Sequence, residues 1–162
     1  MMIRLHNDDW GYETNCFVCD PTNPQGLQIP FFHDTEAGIV VAEFELSDSF
    51  SGAPTLVHGG VTLAVLDEAM AWACIAIGKQ WAVTTETTTN FHRAVRVAGR
   101  YRVEAEVVDH VDTAMRATAR VLDQRDVIRA EAKATFTTVG EAQALRIAGA
   151  ATDDRHRKFL ND

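Results

Sequence analysis

The chain has 162 residues, enough for one domain with one sizeable core. Its formal net charge of -8 argues against a nucleic-acid surface, which needs clustered lysine and arginine to neutralise phosphates. Three cysteines, an odd count, provide no disulfide framework and suit a reducing compartment. The start, Met1 to Asp8, lacks the apolar core of a signal peptide, so the cytoplasm is the expected location.

Residues 1–26 read as an irregular N-terminal segment, with room for a short helix from Asp8 to Tyr12. Within it, Cys16 and Cys19 are separated by two residues and followed by Pro21, Asn23, Pro24 and Gly26. Two thiols at this spacing can be half of a zinc site, but a structural site takes four ligands. The remaining candidates are Cys74 and scattered histidines, so thiols packed beside a turn are the preferred reading and no metal is expected. Alternation then begins. Leu27, Ile29 and Phe31 predict a strand that Pro30 places at an edge. Val40, Ala42, Phe44 and Leu46 alternate with Val41, Glu43 and Glu45, a half-buried strand. Ser47 to Thr55 is a loop.

Next comes a helix from Gly59 to about Ile77, with Gly78 expected in the left-handed conformation at its end. Val61, Leu63 to Leu66, Ala69 to Ala73 and Ile75 to Ile77 are apolar around the whole circumference, the pattern of a buried helix. Asp67 and Glu68 interrupt it. A carboxylate taken out of water is paired, protonated or functional, so this pair is the main clue to chemistry. The two charges also make the helix a poor membrane span, and no membrane partner is expected.

Ala82 to Arg93 is dense in β-branched residues and reads as a long strand. Three more strands follow, with Tyr101 to Val107, Met115 to Val121 and Ile128 to Phe136 apolar on alternate positions. Short polar connections near Asp109–Asp112 and Asp123–Asp126 make them antiparallel hairpins. A terminal helix is expected from Glu141 to Ala148, and a mobile charged tail from Asp153. The small residues Ala105, Ala117, Ala119, Ala130, Ala132 and Ala134 let a sheet curl closely around a helix. The fold class is therefore α+β: one long helix wrapped on all its faces by a curved antiparallel sheet of five to six strands. Residues 27–140 form the domain, flanked by 1–26 and by the helix and tail of 141–162.

His58-Gly59-Gly60 opening the helix, with Asp67 two turns on, resembles the hotdog-fold acyl-CoA thioesterases, more closely their PaaI/THEM-type branch. The box Cys16, Cys19, Asn23, Pro24, Gly26, Leu27 is similar to one at the N-terminus of that branch, with Asp20 in place of glycine. Asn90-Phe91-His92-Arg93-Ala94-Val95 is similar to its Asn-Phe-x-Arg-Pro-Val strand, with Ala94 replacing proline. The likeness covers about residues 16–139. It implies cleavage of an acyl-CoA thioester, coenzyme A entering as part of the substrate and no separate cofactor. It also implies a homodimer or dimer of dimers with the site at the seam. Val41 and Thr84–Thr89 are candidates for the pairing edge.

The residues suit that chemistry. A helix N-terminus offers unpaired N–H groups and the positive end of its dipole, and Gly59 and Gly60 let a carbonyl approach. The resemblance makes the Gly59 N–H the principal oxyanion donor and Asp67 a general base or nucleophile. Glu68 lies about 100° around the helix from Asp67; a salt bridge with a partner or at the surface is expected of it, with substrate contact kept as a candidate role. His58 is either a turn residue or a group that orients the thioester or hydrogen-bonds across a subunit contact. Asn90 and His92 share a strand face and are candidates for the site mouth. Arg93, Arg96 and Arg100 could meet coenzyme A phosphates or simply be solvated. Two other readings remain: a hotdog hydratase or dehydratase using Glu68 in Glu68-Ala69-Met70-Ala71, and a non-catalytic acyl-CoA-binding protein.

Overall fold

A computed structural model describes residues 1–7 and 14–148. The described chain contains nine strands and two α-helices: β1 (Met2–Leu5), β2 (Phe31–Asp34), β3 (Ile39–Glu45), β4 (Ser51–Ala53), β5 (Leu56–Val57), α1 (Gly59–Ala76), β6 (Ala82–Phe91), β7 (Arg100–Val111), β8 (Ala114–Asp123), β9 (Ile128–Thr138) and α2 (Glu141–Ala148). Seven strands form one antiparallel sheet in the order β1-β2-β3-β7-β8-β9-β6, and β4 and β5 form a separate small hairpin.

The expected helix-in-sheet arrangement holds, with seven strands rather than five or six. The additional one comes from the N-terminus. Met2–Leu5 is a strand within the segment expected to be irregular, and it pairs with Phe31–Asp34. The strand expected over Leu27–Phe31 instead begins at Phe31, because Leu27 and Ile29 are tied to the Cys16 loop through N–H bonds to the Phe17 and Val18 carbonyls. Val41 cannot be a pairing edge: it lies between Phe32 on one side and Glu104 on the other. The loop over 47–55 contains a 3-10 turn, Asp48–Phe50, and β4. The short helix expected at Asp8–Tyr12 and the tail from Asp153 lie outside the described residues. The terminal helix runs Glu141–Ala148, as expected.

The core is built by the predicted alternation. Val103, Ala105, Met115, Ala117, Ala119, Val121, Ala130, Ala132, Ala134 and Phe136 are all buried against Val65, Leu66, Ala69, Met70 and Ala73 of α1. The alanines keep the sheet close to a helix about 27 Å long, while β7 reaches about 40 Å and can bend over it. α1 is long and apolar enough to cross a membrane, but it is the core helix of this sheet. Burial of α1 on all its faces is not observed. Val61, Ala64, Asp67, Glu68, Ala71 and Ile75 stay half-buried, because one sheet covers only one side of the helix.

Both hairpins turn through an aspartate in the left-handed region, Asp112 at φ 54° and Asp126 at φ 59°, a conformation this residue type tolerates. At the end of α1 the left-handed residue is Lys79, at φ 58°, and not Gly78. Gly78 is needed for space instead. A Cβ there would come 2.7 Å from the Cys74 carbonyl oxygen and would collide with the Met115 sulfur. Gly78→Ala should therefore cost about 1–3 kcal/mol in urea denaturation. Gly140→Ala, where nothing lies within 4 Å, should stay within about 0.5 kcal/mol. Equal effects would contradict this packing.

Candidate active site

α1 begins at a cap rather than at a free turn. His58 is its N-cap residue, and its Nδ1 accepts the Gly60 N–H at 2.9 Å, which places the ring proton on Nε2. Gly52 of β4 makes room for this ring: a Cβ there would come 3.1 Å from both His58 Cα and Cδ2. The His58 carbonyl accepts the Val61 and Thr62 N–H groups. Of the two glycine amides, that of Gly60 is thus occupied by the cap. That of Gly59 donates to no group among the described residues. The exposed ring of Phe91, at the end of β6, borders Gly59, with Cε1 and Cζ 3.8 Å from where its Cβ would stand.

Two turns along, the neighbouring carboxylates go separate ways. Asp67 is half-buried and accepts a hydrogen bond from Thr84 Oγ1 of β6 at 2.8 Å; among the described residues it pairs with no cation. Glu68 turns to the other flank, where its Oε1 lies 3.3 Å from Cys16 Sγ. This replaces the salt bridge expected of Glu68. The cause is the N-terminal loop, which winds on its own hydrogen bonds and brings both sulfurs to the helix. Buried Asn23 binds the Asn15 and Cys16 carbonyls, and Asp20 accepts from the Thr22 N–H, the Thr22 hydroxyl and the Thr14 hydroxyl. Those bonds, Thr22's first, hold the Asp20 carboxyl below the ordinary carboxylate range. Burial pushes the Glu68 carboxyl up to about 8, with charge on Cys16 the next cause. The Cys16 thiol is lowered to about 5, first by its hydrogen bond with Cys19, while the same bond raises Cys19.

Asn90 and His92 do share a face, but in this chain it is the one turned away from α1. Thr85 is an extra residue at a bulge in β6, and beyond it the phase of the strand reverses. Thr87, Thr89 and Phe91 lie opposite buried Ala134, Ala132 and Ala130, whereas Asn90 lies opposite Glu131. His92 Nε2 is 2.9 Å from Glu131 Oε1. Asn90 lines a groove of about 400 Å³ on that outer face, together with Thr88, Glu131 and Lys133. The inner face carries Thr89, whose buried hydroxyl has no partner among the described residues. Arg93 and Arg96 are exposed, and Arg100 reaches Glu45 at 3.4 Å instead of joining them. The sequence reading therefore missed Thr84 and Phe91; the threonine run marked the strand, but alternation alone could not reveal the bulge.

Residues 55–130 match the family model described as the thioesterase superfamily. No curated protein matches the sequence. Among solved structures, a thioesterase superfamily protein superposes with a TM-score of 0.67 at 20% identity, over 80% of this chain; the chain spans 64% of that protein's length. The PaaI protein of the phenylacetic acid degradation operon of E. coli gives 0.59 at 19% identity, over 64% of this chain and 74% of its own. A hypothetical thioesterase from Streptococcus pneumoniae TIGR4, solved with coenzyme A, gives 0.60 at 20%, over 64% and 82%. The fold is that of the hotdog proteins, and residues 55–130 carry the thioesterase-superfamily segment, so the resemblance drawn from the sequence is borne out.

The cap supplies a direct check on the helix start. His58→Ala should destabilise the protein by about 1 kcal/mol in urea, while His58→Asn, which keeps a side-chain acceptor, should lose much less. Equal losses would show that the Gly60 N–H needs no cap.

Proposed function

We propose that the protein is a thioester hydrolase that cleaves acyl-CoA to a free acid and coenzyme A. The observation that carries this reading is Asp67, a carboxylate in an apolar helix with a hydroxyl donor but no cation among the described residues. A carboxylate so placed is oriented without being neutralised, as a base or nucleophile must be. The Gly59 N–H at the positive end of α1, without an acceptor among the described residues, is the complementary electrophilic group. One such donor is worth about 2.7–4 kcal/mol to a developing oxyanion.

Asp67 and Gly59 are eight residues apart on one helix, about 12 Å along its axis. They cannot act on one carbonyl within a single chain. The site is therefore assembled between two chains, with Asp67 of one facing Gly59 of the other, in a homodimer or dimer of dimers. The ten-residue strand β6 is one edge of the sheet, opposite β1, and exposes Val83 and Phe91, which supports pairing along that side. Arg93 and Arg96, exposed beyond β6, are suited to coenzyme A phosphates. The cytoplasm, where acyl-CoA is met, is the proposed location.

In the general-base form, Asp67 takes a proton from water and the hydroxide adds to the thioester carbon. The resulting oxyanion is held by the Gly59 N–H, and its collapse breaks the carbon–sulfur bond while Asp67 returns the proton to the thiolate. In the nucleophilic form, Asp67 displaces the thiolate directly, and water then hydrolyses the acyl anhydride. Thr84 fixes the carboxylate in both. Solved structures of a Streptococcus pneumoniae thioesterase include an aspartate-to-alanine and a threonine-to-alanine mutant, the same two residue types. The hydratase alternative needs a free Glu68, and the contact with Cys16 counts against it.

Asp67→Asn should lower release of free thiol from acyl-CoA by about 10²–10⁴-fold with fold and assembly intact. Thr84→Val should lower it by about 10- to 100-fold, the value of a hydrogen bond to a charged group. Unchanged turnover in Asp67→Asn would overturn the assignment, and tight binding with no thiol release from the wild type would favour the non-catalytic binder. Running the assay over short, long and aromatic acyl groups identifies the substrate.

A further inference from the structure

The contact between the N-terminal loop and α1 gathers three metal-ligating groups that sequence spacing keeps apart. Cys16 Sγ, Cys19 Sγ and a Glu68 carboxylate oxygen all lie within 4.8 Å of one another. The expectation of no metal rested on the lack of further ligands, and the fold supplies a third from a helix 49 residues downstream of Cys19. We propose that Cys16, Cys19 and Glu68 bind a zinc ion that clasps the N-terminal loop to the central helix, with the fourth position open to water. This proposal is independent of the hydrolase reading.

Three observations support it. The loop already has the form of a thiolate-binding turn: the Val18 and Cys19 N–H groups both donate to Cys16 Sγ at 3.4 Å, and Asn7 Nδ2 donates to Cys19 Sγ at 3.2 Å. Neutral sulfur is a weak acceptor, and three N–H donors aimed at two sulfurs suit anionic ligands. The distances also fit. Tetrahedral zinc with Zn–S near 2.3 Å and Zn–O near 2.1 Å separates sulfur and oxygen by about 3.6 Å. Cys16 and Glu68 stand 3.3 Å apart, so side-chain shifts of about an ångström or less seat the ion. Finally, three acidic ligands packed together have no lysine or arginine partner among the described residues, and a divalent cation supplies the missing charge. Two thiolates and a carboxylate favour zinc over magnesium or calcium, which take oxygen ligands. The thiol protons are released when the metal binds.

The test uses the full-length chain, stripped of metal and kept reduced, titrated with zinc or cobalt(II) alone. One zinc per chain is expected, and cobalt should give thiolate charge-transfer absorption with tetrahedral visible bands. Cys19→Ser and Glu68→Gln should each weaken zinc binding by more than the roughly 10- to 100-fold that losing an outer hydrogen-bond partner costs. Zinc should raise the thermal midpoint of the wild type but not of Glu68→Gln, a variant that keeps both thiols and the shape of the side chain. Any of three results overturns the site: no stoichiometric zinc, zinc binding undiminished in Glu68→Gln, or a chain that takes no zinc and closes a Cys16–Cys19 disulfide on mild oxidation.

Discussion

An eighteen-residue apolar helix carrying two adjacent carboxylates sets the terms for everything packed around it. The sheet can cover only the side lined by Val65, Leu66, Ala69, Met70 and Ala73. Asp67 and Glu68 are left on the flanks, about 100° apart, and must be satisfied by different parts of the chain. The edge strand β6 provides Thr84 for Asp67, and the N-terminal loop provides Cys16 for Glu68. One carboxylate is hydrogen-bonded to Thr84 and meets no cation among the described residues. The other is enclosed among thiols.

The same division runs through the start of the helix. Four N–H groups there lack partners within the helix. His58 satisfies one through its ring, yet the Gly59 N–H, beside an exposed phenylalanine, stays open among the described residues. A capped helix with one donor left open presents a single, defined electrophilic point. Gly52, which lets the imidazole reach the cap, comes from the small β4–β5 hairpin, so the loop expected over 47–55 is part of the scaffold of the site.

Much of this architecture was legible in the residue pattern. Alternation in β7, β8 and β9 placed Val103, Met115 and Phe136 in the core, and the apolar circumference with Gly59-Gly60 placed the helix. Local pattern failed where tertiary contacts decide. Thr85 inserts at a bulge, so alternation gave Asn90 and His92 a shared face but could not show that this face turns outward, away from α1. Met2–Leu5 is too short to announce itself and is a strand because Phe31–Asp34 lies beside it. Gly78 looked like a helix terminator by residue type, but the contact with Met115 explains it and Lys79 takes the left-handed turn. Glu68 and the Cys16–Cys19 pair are far apart in sequence, and no spacing rule links them.

The central claim is that one chain's carboxylate works with the other chain's amide. Mixing inactive Asp67→Asn chains with inactive Gly59→Val chains tests it, because each mixed dimer then holds one seam with native Asp67 facing native Gly59. Thiol release should reappear on mixing, in proportion to the mixed dimer formed. Mixed dimers that form and stay inactive would contradict a site shared between chains.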